Sequence, residues 1–283
     1  MPTAIISDIH GNLDALHVVL ADIDRRGIKR ILCLGDIIGY GPDPCECLEL
    51  VIARCEWSLM GNHDFAVLYE PTSFNASAEA SAYWTRRQIE QEDQGPAQQR
   101  YWEYLGNLRI RESFQGVLCV HASPRRPINE YIFPDDVVTA PSKMISIFDR
   151  VERAAFVGHT HVPGVFTDEP DFYPPADLGD NYRINVHEKC VINPGSVGQP
   201  RDRDPRASYA IMYDPDEDDS KPPVGPPPSN PEAPNTHAAM NGEPVACRVE
   251  FIRLEYEIEA VVAKVQEISE LNDFLALRLL EGR

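Results

Sequence analysis

Three things are scarce in this chain of 283 residues, and each scarcity removes a class of function. Long apolar runs are missing: no stretch approaches the roughly 20 residues that cross a bilayer. The amino terminus opens on a strand-like segment instead of a basic region followed by a long apolar one, so no secretory leader is expected. These absences predict a cytoplasmic protein without a membrane partner. Basic clusters are missing too, since 26 Lys and Arg face 45 Asp and Glu and leave a net charge of -19. Such a surface repels a polyanionic strand, which argues against bulk nucleic acid as a partner and against a nuclease. Finally, there is no disulfide framework. The seven cysteines are odd in number and scattered, as expected of reduced thiols. Cys45 and Cys47 lack a second Cys/His pair at zinc-finger spacing, so they read as helix residues and not as metal ligands.

The remaining composition, 43% hydrophobic and 25% charged, is that of an ordinary globular protein. The length fits one large domain spanning residues 1–283. A short apolar run over Thr3–Ser7 is followed by Leu13, Leu16, Val19, Leu20 and Ile23 at helical spacing. The order recurs with a strand at Ile31–Leu34, a helix over Cys47–Arg54 after Pro42 and Pro44, and a third strand at Trp57–Met60. This alternation predicts βαβ units with parallel strands buried on both faces.

Phe74–Leu105 reads as helix with a break at Gly95-Pro96, and Leu108–Phe114 with Val117–Val120 reads as a hairpin closing at Gln115-Gly116. One helix is expected over Val137–Val151 and a buried strand over Ala154–Val157. Val162–Thr167, Tyr182–Val186 and Lys189–Ile192 then predict antiparallel strands of a second sheet packed on the first. Ser208–Tyr213 and Cys247–Tyr256 read as a strand pair, separated by a Pro-rich insertion over 214–246 with nine prolines and an acidic run, Asp214 to Asp219. Its composition predicts disorder. Helices are expected over 257–281.

Chemistry-bearing residues gather at strand ends. Five apolar strands terminate in Ser7-Asp8-Ile9-His10, Gly35-Asp36, Gly61-Asn62-His63, Val120-His121 and Gly158-His159-Thr160-His161. Parallel strands deliver such ends to one edge, where ligands bind in open α/β sheets. Mixed oxygen and nitrogen donors suit manganese, iron, zinc, nickel or cobalt better than calcium. Gly35, Gly61 and Gly158, each just before a donor, are expected to let the backbone turn sharply.

In this order the chain resembles the calcineurin-like metallophosphoesterase superfamily. The pattern D-x-H, G-D, G-N-H-D/E, H and G-H-x-H is complete over residues 8–161, and Asn193-Pro194-Gly195-Ser196 resembles a loop of its small bacterial branch. The resemblance implies an α/β (α+β) fold, a four-layer α-β-β-α sandwich of two mixed β-sheets flanked by helices. It also implies two divalent ions, with manganese ahead of iron, zinc, nickel, cobalt or magnesium. Asp8, His10 and His161 would hold one ion, Asn62, His121 and His159 the other, and Asp36 would bridge them. A metal-bridging hydroxide would then attack a phosphate ester. With only two anionic ligands, two dications leave the site positive, so an acidic protein can still take up phosphate.

By the same resemblance His63 would protonate the leaving oxygen or stabilise its charge, with Asp64 either orienting it or stabilising the turn. The protein phosphatase motif G-D-x-x-D-R-G is not met, because residues 35–41 read Gly-Asp-Ile-Ile-Gly-Tyr-Gly. A serine/threonine protein phosphatase is therefore the weaker alternative, as is a non-catalytic binding scaffold. The turn at Gly39–Pro44 resembles a branch containing cyclic-nucleotide phosphodiesterases and asymmetrical dinucleoside tetraphosphatases, which implies a small phosphorylated substrate such as a nucleotide. Tyr40 either stacks on a base or packs internally. Asn12 either contacts phosphate or caps a helix. Arg125, Arg126, Arg201 and Arg203 offer guanidinium groups suited to distal phosphates.

Overall fold

The structure, a computed structural model, describes residues 1–91, 95–185, 188–213 and 245–283. The opening residues form two short parallel strands, β1 (Thr3–Ile6) and β2 (Arg30–Cys33), with Ile5 beside Leu32. Between them runs α1 (Leu13–Arg25), whose apolar stripe is buried. Next come α2 (Pro44–Arg54), with Pro44 in the first turn where its missing N–H costs nothing, and β3 (Trp57–Ser58). That strand is shorter than the expected 57–60, since Leu59 makes only an isolated bridge to Arg109.

Asn62, His63 and Asp64, which read locally as a turn, instead begin a short helix, α3 (Asn62–Leu68). The expected helices follow as α4 (Ala76–Gln91) and α5 (Pro96–Gly106). β4 (Arg111–Phe114) and β5 (Val117–Val120) form the hairpin, and Gln115 and Gly116 both take positive φ, 49° and 76°, as a tight hairpin turn requires. The single helix expected over 137–151 is two, α6 (Asp136–Thr139) and α7 (Pro141–Phe148). Pro141 disfavours helical backbone in the residue before it and opens the second helix.

The rest of the chain supplies β6 (Ala154–Phe156), β7 (Gly164–Thr167), β8 (Asp171–Tyr173), β9 (Asn181–Asn185), β10 (Cys190–Asn193), β11 (Ala207–Tyr213) and β12 (Val245–Leu254). Two helices, α8 (Ile258–Glu267) and α9 (Asp273–Glu281), close it. The Pro-rich segment expected over 214–246 lies, but for its last two residues, outside the described residues. Among the described residues no helix is long and apolar enough to cross a membrane.

The strands make two mixed six-stranded sheets, ordered β3-β2-β1-β11-β12-β9 and β4-β5-β6-β10-β7-β8. One assignment from sequence is corrected: β9 belongs to the first sheet, on the free edge of β12, not to the second. Tyr182 and Ile184 of β9 point into the space between the sheets in either case, so side-chain alternation could not distinguish the two placements.

Alternation does explain the layers. Ile5, Leu32, Ala210 and Met212 face Val117, Phe156, Val165 and Ile192 between the sheets. Their neighbours Ile6, Ile31, Tyr209 and Ile211 face α1, α2 and α5, while Val120, Ala155 and Val191 face α7 on the far side. The result is the α-β-β-α sandwich. α8 and α9 pack by Val261, Val265, Leu275 and Leu279 against Tyr40, Ala78 and Trp84, which brings the carboxyl-terminal helices beside the loop after β2.

Candidate metal centre

The loops after β1, β2, β3, β5 and β6 converge at one end of the sandwich. There Asp8, His10, Asp36 and His161 place ligand atoms within 4.8 Å of one another, and so do Asp36, His121 and His159. Asp36 belongs to both groups. Its Oδ2 lies 3.6 Å from His10 Nε2 and 3.4 Å from His121 Nε2, while Asn62 Oδ1 lies 3.3 Å from His121 Nε2. All seven residues singled out as ligands thus meet, from positions up to 153 apart in the chain.

Bringing them together strains the backbone. Asp8, His10, Asp36, His159 and His161 all have left-handed φ, at 55°, 51°, 52°, 66° and 60°. This region costs a non-glycine residue on the order of 1 kcal/mol. Loop-to-loop hydrogen bonds hold it: the Asp8 N–H donates to Gly35 O (3.0 Å), that of His10 to Asp36 O (2.9 Å), and that of Gly158 to His121 O (2.7 Å). The Asn193–Ser196 loop acts as a brace. Its Ser196 hydroxyl donates to Asp8 O at 2.7 Å, and Asn193 Nδ2 donates to Gly158 O at 2.8 Å.

The glycines act differently from the sharp turns expected. Of the three, only Gly35 has positive φ, at 104°. Gly61 and Gly158 clear space: a Cβ on Gly61 would lie 2.0 Å from Asp36 Oδ1, and one on Gly158 would lie 2.1 Å from Ser7 Oγ. Gly61→Ala is therefore expected to push Asp36 aside and lower bound metal by more than half, measured by elemental analysis after manganese loading, with the circular dichroism spectrum retained.

The donors fit divalent cations in chemistry as well as position. His121 Nδ1 lies 3.0 Å from Leu34 O and His161 Nδ1 2.6 Å from Gln199 O. With the N–H at Nδ1 committed to those carbonyls, each Nε2 is turned toward the cluster and is the nitrogen whose lone pair the neutral ring would offer a cation. His159 Nε2 is buried without a hydrogen-bond partner. Burial, opposed by Asp36, drives His10 well below the usual imidazole range, and burial with the neighbouring His121 pushes His159 down to about 3. Against the burial penalty, His121 and His63 hold Asp36 well below the usual carboxylate range, and His161 lowers Asp8. His121 is the exception: Asp36 and then Asp8 outweigh burial and raise it to about 9. Ionised carboxylates and neutral imidazoles are the states that metal binding requires.

The remaining predicted residues separate. His63 is buried against the cluster, its ring 4.2 Å from Tyr40 and 4.8 Å from His10, with Nδ1 unpartnered. Burial, opposed by Asp36, lowers it to about 4. Asp64 clamps the loops: its carboxylate accepts from Asp36 N–H (2.8 Å), Ile37 N–H (2.9 Å) and Gly61 N–H (3.0 Å). These donors favour the anion, whereas burial and the charge of Asp36 push its carboxyl up to about 7. Of its two readings, the structure places it with the backbone of the turn.

Tyr40 is packed between His10 and His63 and almost wholly buried, so its ring has no open face for a base. Asn12 caps α1, accepting from Ala15 N–H at 3.1 Å and donating to Gly198 O at 2.9 Å. Arg125 is engaged by Glu130 and stays out of the cluster. Arg203 is exposed, its N–H bound to Gly282 O at 2.9 Å. Arg201 does approach: its N–H binds His161 O at 3.2 Å and its guanidinium carbon lies 5.9 Å from the Tyr40 ring centre.

Sequence reasoning missed Tyr131, whose ring stacks on His159 at 3.9 Å with 22° between planes. Phe133 stacks behind it at 5.1 Å. Both are partly exposed aromatics on a loop with no periodicity, so no local pattern marks them. Tyr131 borders a cleft of about 580 Å³ that runs from Asn62 and His159 past Phe65, Phe74, Ile110, Arg126 and Ile128.

Comparison with known proteins agrees with this geometry. Residues 1–216 match the calcineurin-like phosphoesterase superfamily domain. An uncharacterized protein of Methanocaldococcus jannaschii is 37% identical over 99% of this chain and 98% of its own length. The crystal structure of a metallophosphoesterase from Sphaerobacter thermophilus is similar with 35% identity and a TM-score of 0.73, covering 100% of this chain and 99% of that one. A hypothetical protein from Pyrococcus horikoshii, at 18% identity, shares the fold with a TM-score of 0.67 over 100% of this chain and 98% of its own.

Proposed function

The chain belongs to the calcineurin-like phosphoesterase superfamily and is a metal-dependent phosphoesterase, and from that premise we propose that it uses two divalent cations to hydrolyse small nucleotide-like phosphate esters. The observation that carries the two-ion reading is the sharing of Asp36 between two overlapping donor groups. Asp8, His10, Asp36 and His161 would hold one cation, and Asp36, Asn62, His121 and His159 the other. Bound there, the cations would acidify a water for attack and neutralise the phosphoryl oxygens. Manganese is the ion we favour for this mixed donor set.

The chain's own residues supply the rest. His63, its Nδ1 unpartnered beside the cluster, is placed to give a proton or hydrogen bond to the leaving oxygen. Asp64 holds the Asp36 and Gly61 backbones in register. The cleft beside His159, walled by Phe65, Phe74 and Ile128 and bordered by the Tyr131 ring, offers an aromatic group such as a nucleobase an apolar surface to pack on. The packing of α8 and α9 on Tyr40 and Trp84 supports treating residues 1–283 as one domain, and the acidic composition supports small substrates over bulk nucleic acid.

Elemental analysis after manganese loading and gel filtration tests the two-ion reading. Two equivalents per chain are expected in the wild type and at most one in His121→Ala, with aryl phosphate hydrolysis tracking the second equivalent. A fully active protein holding a single ion contradicts it.

A further inference from the structure

A phosphoryl group at the metal centre leaves open how the rest of a charged substrate is held. The turn over residues 35–41, Gly-Asp-Ile-Ile-Gly-Tyr-Gly, brings no cation. Two arginines stand nearby without an Asp or Glu partner among the described residues, although acidic groups heavily outnumber basic ones. Arg201 is joined to the last ligand loop through His161 O, and its guanidinium sits over Tyr40 with Nε buried and unpartnered. Arg278 is in the last turn of α9, beyond the residues that match the family domain. Its Nε donates to Arg283 O.

The fold fixes where α9 lies. Leu275 and Leu279 share a narrow crevice with His10, Tyr40 and Gln199. Gly282 takes left-handed φ, 62°, with its carbonyl bound by Arg203 N–H at 2.9 Å, and a Cβ there would lie 2.8 Å from the Asp204 backbone. The helix end is thus pinned to the 201–204 loop.

We propose that Arg201 and Arg278 together form a binding site for a second phosphate of the substrate, beside the metal centre. The site rests on the hydrolase reading above and narrows its substrate to a phosphoanhydride, such as a nucleoside diphosphate or a longer polyphosphate, over a simple ester. Burial and the neighbouring charge of Arg201 push the Arg278 guanidinium down to about 10, with Tyr40 and Tyr131 opposing. A bound anion shared by the two guanidinium groups would offset the burial of Arg278 and its repulsion by Arg201, which concentrates binding energy on a dianionic group. In the reaction water adds to the phosphorus at the metal centre. The P–O bond to the bridging oxygen breaks, that oxygen leaves with the electron pair on the phosphate held by the arginines, and the protons of water are shared between the two phosphate products.

The test compares adenosine monophosphate with the non-hydrolysable α,β-methylene analogue of adenosine diphosphate as inhibitors of aryl phosphodiester hydrolysis at fixed free manganese, with calorimetry of the same two nucleotides in parallel. The wild type is expected to bind the diphosphate about tenfold or more tighter than the monophosphate. Arg278→Gln and Arg201→Gln should each bring that ratio close to one, Arg278→Lys should restore part of it, and the exposed Arg111→Gln should leave it unchanged. Circular dichroism and metal content report on folding. Equal binding of both nucleotides by the wild type, or equal weakening of both in Arg278→Gln, overturns the site. Absence of aryl ester turnover in a metal-loaded wild type would count against the hydrolase reading instead, and calorimetry would still read the ratio.

Discussion

Asp36→Asn is expected to lower kcat/KM on an aryl phosphate ester by about a thousandfold or more, or roughly 4 kcal/mol of barrier at 1.36 kcal/mol per tenfold. The asparagine has nearly the same shape, and its carbonyl oxygen can still accept the His63 N–H that Asp36 Oδ1 accepts at 2.8 Å. The change therefore spares the loops and strikes the charge. Asp36 is the one carboxylate placed in both donor groups, and a neutral amide can neither bridge two cations nor offset their repulsion. Metal content should fall below two equivalents, and the midpoint of denaturant unfolding under chelator, where no metal contributes, should also fall, because against the burial penalty His121 and His63 hold Asp36 ionised and His121 loses that partner in the variant. A variant that keeps two ions and more than a tenth of the activity would show that Asp36 is not the bridge.

His63→Ala should reduce kcat by about 10²–10⁴-fold, the usual scale for a positioned proton donor, with metal content unchanged. The dependence on the leaving group separates this role from a structural one. Esters of an acidic nitrophenol need little help in departure and should lose least, whereas esters of an alkyl or nucleoside alcohol should lose most. A uniform loss across leaving groups would assign His63 to packing, which is a real alternative for a ring in contact with Tyr40, His10 and Phe74.

Much of the first sheet could be read from the chain because each strand is a short apolar run bounded by a helix at regular spacing. β1, α1, β2, α2, α4 and α5 fall close to where periodicity places them. The misses have different causes. α3 begins in a segment too short and too polar for a periodic signal, and it forms because Gly61 and Asp64 are tied to the Asp36 loop. The split of α6 from α7 is local and was available from Pro141. The placement of β9 was not, because the face it buries is the same in either sheet.

The candidate site shows the same division. Donor identity was legible, since carboxylates and imidazoles at five successive strand ends are a one-dimensional pattern. Substrate contacts were not. Arg125 and Arg201 are alike in sequence, yet Glu130 takes the first and the second faces the cluster. Tyr131 and Arg278 carry no local mark at all; an arginine in the last turn of a helix reads as a partner for the helix dipole.

What the amino-acid sequence determined by itself is therefore the alternation of buried strands and helices, the type and order of the metal donors, and the acidic balance. Those properties are set by neighbours along the chain, through hydrophobic periodicity and the chemistry of single side chains. Tertiary structure alone decided that five of the candidate donors adopt left-handed backbone, that Glu130 takes Arg125 but not Arg201, and that the end of α9 lies beside the 201–204 loop. The first and last of these depend on contacts between segments far apart in the chain, where packing and loop-to-loop hydrogen bonds outweigh local preference.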